Sequence, residues 1–277
     1  MSDVMRLYGG TSRGRVTISD LMAAKERGER WPCLTAYDAT TADLFDAAGI
    51  PVLLVGDSAA MVIYGYDSTI PVTVEELLPL VRAVERGSKR AMVVADLPFA
   101  SYQSSIEQAM DTAARFMKEG HAHAVKLEGG ARVLPQVRAM TEAGIPVMAH
   151  LGLTPQSVHQ FGGYKVQGRG DAGERIVEDA LALQEAGAFS LVLEVVPTEL
   201  AARITEALQI PVIGIGAGNA TDAQVLVWHD LVGMTRGHTA KFVREYSRVS
   251  DVITDAVQRW AEDVASGAYP DDEHTYH

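Results

Sequence analysis

Val52-Leu-Leu-Val-Gly-Asp-Ser58 is a short apolar run that stops abruptly in a glycine and two polar residues. A strand buried on both faces has this form, continuous apolar sequence with polar residues only where the chain emerges. The design recurs in Ala91-Met-Val-Val-Ala-Asp96, Ala124-Val-Lys-Leu-Glu128, Pro146-Val-Met-Ala-His150 and Ser190-Leu-Val-Leu-Glu194. All five runs carry an ionisable group at the carboxyl end. In an α/β barrel every strand's carboxyl end opens onto one face, where catalytic groups collect.

Outward from these runs, the chain alternates between strand and helix. Thr17 to Arg27 has helical spacing, with Thr17 or Ser19 as cap and Gly28 as stop. Its place before the first strand, Pro32–Tyr37, suits a plug over the barrel's amino-terminal end. Asp38–Ala48 is helical, Val52–Val55 is the second strand, and Ala59–Val72 reads as a loop. Thr73 caps a helix to about Arg86. The third strand, Ala91–Ala95, leads to a helix that begins at Ser104 or Ser105 and ends at Gly120. Ala124–Glu128 is the fourth strand, followed by a helix from about Ala131 to Ala143, and Pro146–Ala149 is the fifth. The long polar stretch Gly152–Gly170 carries Lys165 and Arg169, and loops of this length inside a domain are usually functional. We expect the Gly162–Gly170 part to act as a lid. Helices at about Ala172–Ala186 and after Pro197 flank the sixth strand, Leu191–Leu193. Pro211–Ile215 and Gln224–Trp228 complete eight strands, and Phe242–Ala265 reads as a closing helix.

The alternation predicts one (β/α)8 TIM barrel domain over residues 1–277, with an N-terminal helix, a C-terminal helical extension and a flexible start at Met1–Arg15. The rival architecture is an open doubly wound sheet, marked by Gly-x-Gly-x-x-Gly after a strand. Gly214-Ile-Gly216-Ala-Gly218 has the wrong spacing for that mark, with Asn219 where the third glycine belongs.

A chain of 277 residues, 47% hydrophobic and 22% charged, is long enough to bury a substantial core. Its formal net charge of -12 argues against nucleic acid and anionic membranes as partners. The single cysteine, Cys33, rules out an intrachain disulfide. Met1–Gly10 lacks the apolar core of a signal peptide, and no apolar run approaches the ~20 residues of a membrane helix. The expectation is a cytoplasmic protein.

Asp57, Asp96 and Glu128 end successive strands, and neighbouring strands lie roughly 5 Å apart. Three carboxylates on one wall repel one another unless a cation binds. Oxygen ligands without cysteine favour a hard ion, Mg2+ above others. The bland alternative is that each acid caps a helix or faces water. Lys126 and Glu128 point to the same side of their strand. Lys126 either pairs permanently with Asp96 or Glu128, or receives a substrate carboxylate, and Ser58 beside Asp57 is placed to bond the same substrate. Glu194, away from the three acids, is either a general base at an apolar strand end or the partner of a loop arginine. His150 is a polar wall, a metal ligand or a proton relay.

Several stretches then resemble the ketopantoate hydroxymethyltransferase family: Leu34-Thr-Ala-Tyr-Asp38, Val55-Gly-Asp-Ser58, Asp67-Ser-Thr69, Ala95-Asp-Leu-Pro-Phe99, Val125-Lys-Leu-Glu-Gly-Gly130 and His150-Leu-Gly-Leu-Thr-Pro-Gln-Ser157. Gly162–Gly170, Pro211–Gly218 and Asp272-Glu-His274 extend the match in order to the end of the chain. The resemblance implies a barrel of the phosphoenolpyruvate/pyruvate type. It implies transfer of a hydroxymethyl group from 5,10-methylenetetrahydrofolate to 3-methyl-2-oxobutanoate, giving 2-dehydropantoate for pantothenate synthesis. It implies Mg2+ on Asp57, Asp96 and Glu128, the 2-oxoacid against Asp57, Ser58, Asp96 and Lys126, and Glu194 as proton acceptor. A large homo-oligomer, typically a decamer, is also implied. One departure stands out: Gly65-Tyr66, where many members have Gly-His.

Two rivals remain. One is a related barrel, such as isocitrate lyase or phosphoenolpyruvate mutase, that works on a 2-oxoacid without folate. Cys33, at the start of a strand, is poorly placed for the catalytic cysteine such lyases use. The other is a 2-oxoacid sensor without turnover, which has no need of a base such as Glu194.

Overall fold

Eight parallel strands close into a barrel in chain order, so the expected alternation is borne out and the open sheet is excluded. The computed structural model describes residues 7, 8, 14–235, 237 and 239–277. The flexible start expected at Met1–Arg15 falls outside the described residues at 1–6 and 9–13. The chain divides into two compact units, Met1–Val227 and Trp228–His277. The first carries α1 (Ile18–Glu26), β1 (Trp31–Thr35), α2 (Ala39–Ala47), β2 (Val52–Val55), α3 (Ala59–Val62), α4 (Val74–Gly87), β3 (Met92–Asp96), α5 (Ile106–Lys118) and β4 (Ala124–Glu128). It continues with α6 (Leu134–Glu142), β5 (Val147–Gly152), α7 (Val158–Phe161), α8 (Ala172–Glu185), β6 (Ser190–Glu194), α9 (Thr198–Ala207), β7 (Val212–Ile215) and β8 (Ala223–Leu226).

Side-chain alternation along the strands sorts the barrel interior into an apolar end and a charged end. Trp31 and Cys33 of β1, Val52 and Leu54 of β2, Met92 and Val94 of β3, Ala124 of β4, Met148 of β5 and Val192 of β6 share one core cluster with Leu21 and Ala24 of α1. The helix is thus the plug its position suggested. Thr17 caps it through a reciprocal bond pair with Asp20, and Lys25 ties it to Asp222 at 2.7 Å, just before β8. Because successive side chains face opposite ways, the next inward positions are Asp96, Lys126 and Glu128, His150 and Glu194. The register sets Asp96 beside Lys126, Glu128 beside His150, and Gly152 beside Glu194. Burial of the apolar layers therefore fixes where the charged layer stands.

Two stretches depart from expectation. The Ala59–Val72 loop opens with the single turn of α3, and the Gly152–Gly170 loop contains α7. The second unit holds α10 (Trp228–Leu231) and α11 (Val249–Ser266). The closing helix starts at Val249, not Phe242, and residues 242–248 run irregularly before it. Ile253, Val257, Trp260 and Val264 form an exposed apolar stripe along α11. Among the described residues no helix is long and apolar enough to cross a membrane.

Candidate active site

Asp57, Asp96, Lys126, Glu128 and His150 are each no more than 5% exposed, so five ionisable groups are buried together at the carboxyl end of the barrel. Charges this deep must be paired or bonded. Lys126 Nζ donates to Asp96 Oδ1 at 2.6 Å, which settles its resting partner as Asp96. The other Asp96 oxygen, Oδ2, accepts the backbone N–H of Asp57 at 3.0 Å, locking the ends of β2 and β3 together. Burial alone would lower the Lys126 pKa, but Asp96, Glu128 and Asp57 outweigh it and keep the ammonium charged. Burial, then repulsion from Asp96 and Glu128, holds the Asp57 carboxyl well above the usual range. Ser58 stands at the edge of the group, its Oγ 2.8 Å from Tyr37 Oη.

Gln156 joins the cluster's parts. Its Nε2 donates to Asp57 Oδ2 at 2.9 Å and to Leu97 O at 3.0 Å. Its backbone N–H donates to Glu128 Oε2 at 3.0 Å, and its Oε1 accepts from Tyr102 Oη at 2.7 Å. Tyr102 Oη in turn accepts the Glu128 N–H at 3.1 Å. Sequence reasoning singled out neither Gln156 nor Tyr102. Gln156 lies inside the His150–Ser157 stretch that carries the family resemblance, the one signal that pointed at it.

Glu194 is not the isolated carboxylate expected. His150 lies between two acids, its Nδ1 3.3 Å from Glu128 Oε1 and its Nε2 3.3 Å from Glu194 Oε2. Burial and then Lys126 push the His150 pKa down, but the two flanking carboxylates prevail and raise it to about 9. No loop arginine pairs with Glu194 among the described residues; histidine takes that place. The backbone around Glu194 is tightly constrained. Val195 sits at φ +47, in a left-handed region that a β-branched residue rarely occupies. Gly152 has φ +93, and a Cβ there would stand 2.2 Å from Glu194 O. Held strain of this kind concentrates at functional sites.

The donor set suits a hard cation bound with help from a ligand. Four carboxyl groups (Asp57, Asp96, Glu128, Glu194) gather around only two basic side chains, Lys126 and His150, and so offer oxygen donors in excess of their basic partners. Glu128 Oε1 is buried without a sound hydrogen bond. No three His, Cys, Asp or Glu side chains among the described residues converge closely enough to enclose an ion by themselves. Mg2+ does not require that, since it keeps several waters and uses one or two carboxylates plus substrate oxygens. Cys33 is fully buried in the plug-side core, and desolvation pushes its thiol pKa far up, so it is no nucleophile.

A sequence profile described as ketopantoate hydroxymethyltransferase matches residues 15–272. The chain belongs to the ketopantoate hydroxymethyltransferase family. The 3-methyl-2-oxobutanoate hydroxymethyltransferase of Thermobifida fusca is 61% identical over 271 residues, covering 98% of this chain and 96% of that protein. The protein of that name from Frankia alni is 62% identical over 276 residues, covering 98% and 91%. Among solved structures, phosphoenolpyruvate phosphomutase from Streptomyces platensis aligns with TM-score 0.62 at 14% identity, covering 91% of this chain and 88% of that one. A phosphonopyruvate hydrolase solved with oxalate and Mg++ aligns with TM-score 0.61 at 13% identity, covering 93% and 92%. At such identities the likeness is one of fold, and it matches the barrel type that the family resemblance implied.

Proposed function

We propose that this chain transfers a hydroxymethyl group from 5,10-methylenetetrahydrofolate to 3-methyl-2-oxobutanoate, giving 2-dehydropantoate for pantothenate synthesis. Family membership over nearly the whole chain supports the reaction. The observation that carries the site assignment is the convergence of Asp57, Asp96, Lys126 and Glu128 on one buried cluster, joined to Glu194 through His150.

Asp57 and Asp96, with Glu128, would hold Mg2+. When bound, the ion supplies a Lewis acid for the keto oxygen of the 2-oxoacid, an effect worth several kcal/mol. Lys126 and Ser58 bind the substrate carboxylate and fix its orientation. Glu194 accepts the proton from C3, which leaves that carbon nucleophilic toward the one-carbon unit of the folate. His150, its Nε2 3.3 Å from Glu194 Oε2, orients that carboxylate. A base so positioned typically contributes about 10²–10⁴-fold. The chain works in the cytoplasm as a homo-oligomer, a decamer by family resemblance, and the exposed apolar stripe of α11 supports self-association.

The test is isotopic. With 13C in the methylene group of the folate, NMR should show label in the hydroxymethyl carbon of 2-dehydropantoate. Product formed without folate, or no product with both substrates and Mg2+ present, would contradict the reading.

A further inference from the structure

A cleft lies between two segments that lead away from the carboxylate cluster. It measures about 680 Å3 and is walled by the Gly65–Pro71 segment after α3 and the Val158–Tyr164 segment containing α7. Small-molecule sites commonly measure about 300–1,000 Å3. Both walls start in the active site. The first follows Asp57 and Ser58 in the chain. The second follows Gln156, which bonds Asp57 and Glu128. Tyr164 is half-exposed, and its phenol feels the site: burial first, then the charges of Glu194, Asp57 and Glu128, raise its pKa.

The opposite wall presents a ring held in place. Tyr66 Oη donates to Glu76 Oε1 at 2.6 Å, and Glu76 is itself fixed by its capping bonds with Thr73. The Tyr66 ring stacks with Tyr64 at 6.0 Å between centroids. Beside it, the exposed Asp67 carboxylate has no hydrogen bond or ion pair among the described residues. Gly65 and Gly163 leave open space where a side chain would stand, so backbone can approach a ligand closely.

We infer that this cleft binds the folate co-substrate, its flat pterin ring lying against Tyr66 and Tyr164 with Asp67 reading its pyrimidine edge. The inference rests on the function proposed above. Its chemistry is specific. The one-carbon unit of the folate is carried beside the pterin ring, so that ring must bind next to the nucleophilic carbon. The cleft is continuous in the chain with residues that bond Asp57. An exposed tyrosine offers a flat apolar face at low entropic cost, and aromatic pairs favour offset stacking. The 2-amino-4-oxopyrimidine edge carries two adjacent N–H donors, which a carboxylate accepts as a pair. Lys165 Nζ lies on the cleft's rim beside Gly162, placed for the glutamate tail.

The test compares Tyr164→Ala, Tyr164→Phe and Asp67→Asn with wild-type protein. Direct binding of tetrahydrofolate is followed by calorimetry, and KM is measured for each substrate. Tyr164→Ala and Asp67→Asn should weaken tetrahydrofolate binding and raise the folate KM about tenfold, while Tyr164→Phe stays within about twofold. KM for 3-methyl-2-oxobutanoate should move by less than about twofold. Wild-type affinity for tetrahydrofolate in both weakened variants would overturn the inference. So would equal losses for the two substrates, which would make the cleft part of closure over the 2-oxoacid. If wild-type protein binds tetrahydrofolate through these residues but makes no product, the cleft stands and the proposed function falls. If it makes product and the variants match it, only the cleft falls.

Discussion

Replacing Gln156 by methionine keeps most of the side-chain volume and removes four hydrogen bonds. Nε2 loses Asp57 Oδ2 and Leu97 O, and Oε1 loses Tyr102 Oη and Gln103 Nε2. The Tyr102 hydroxyl still bonds the Glu128 backbone, and Gln103 reaches solvent, so neither is a full loss. Leu97 O and Asp57 Oδ2 are left buried without these donors. Each buried acceptor left unsatisfied costs ~1–3 kcal/mol, and two are left here. The expected destabilisation is therefore about 3–5 kcal/mol. For a chain of this size that lowers Tm by roughly 10 °C. Urea unfolding at pH 7.5 gives the free energy and thermal melting gives Tm. Mg2+ affinity, read by calorimetry, should fall as well, because Asp57 loses the donor that steadies its carboxylate. Gln156→Met within about 1 kcal/mol of wild type, with unchanged Mg2+ affinity, would refute the view that this residue holds the cluster together.

Two further outcomes follow from the same geometry. Gly152→Ala should cost at least about 2 kcal/mol and reduce kcat, since φ +93 disfavours alanine and its Cβ would press on Glu194 O; stability and turnover near wild type would show the β5–β6 contact to be looser than described. His123 is held neutral in the fold, its pKa lowered to about 4 by burial and then by Arg15, with Nδ1 accepting the Val93 N–H. Its folded pKa lies below the unfolded value of 6.5, so its contribution is complete above pH 6.5 and is lost as the pH falls toward 4. His123→Gln should flatten that part of the stability profile in urea titrations, and an unaltered profile would contradict the assignment.

The strand order, the plug and the inward-facing charges were legible in sequence because buried parallel strands are written as unbroken apolar runs. Asp96, Lys126, Glu128 and Glu194 could be placed by counting two residues at a time from Val94, Ala124 and Val192. His150 had three open roles, because its meaning depends on Glu128 and Glu194, which flank it only once β4, β5 and β6 lie side by side. Gln156 carried no local signal: a glutamine in a polar loop looks solvent-facing until the ends of β2 and β4 converge on it. The onset of α11 was misplaced by seven residues, since Phe242–Arg248 mixes apolar and charged residues much as the helix itself does, and Arg248 marks the true start with no side-chain capping bond to betray it.

The central claim is that Glu194 takes the C3 proton of a 2-oxoacid oriented by Lys126. The most direct measurement is exchange of that proton in D2O, followed by NMR on 3-methyl-2-oxobutanoate with Mg2+, first without and then with tetrahydrofolate. Wild-type protein should exchange the proton in a Mg2+-dependent manner, and Glu194→Gln should slow it by at least about 10²-fold while still binding the acid. Exchange at wild-type rate in Glu194→Gln, or no exchange by wild-type protein under either condition, would contradict the account.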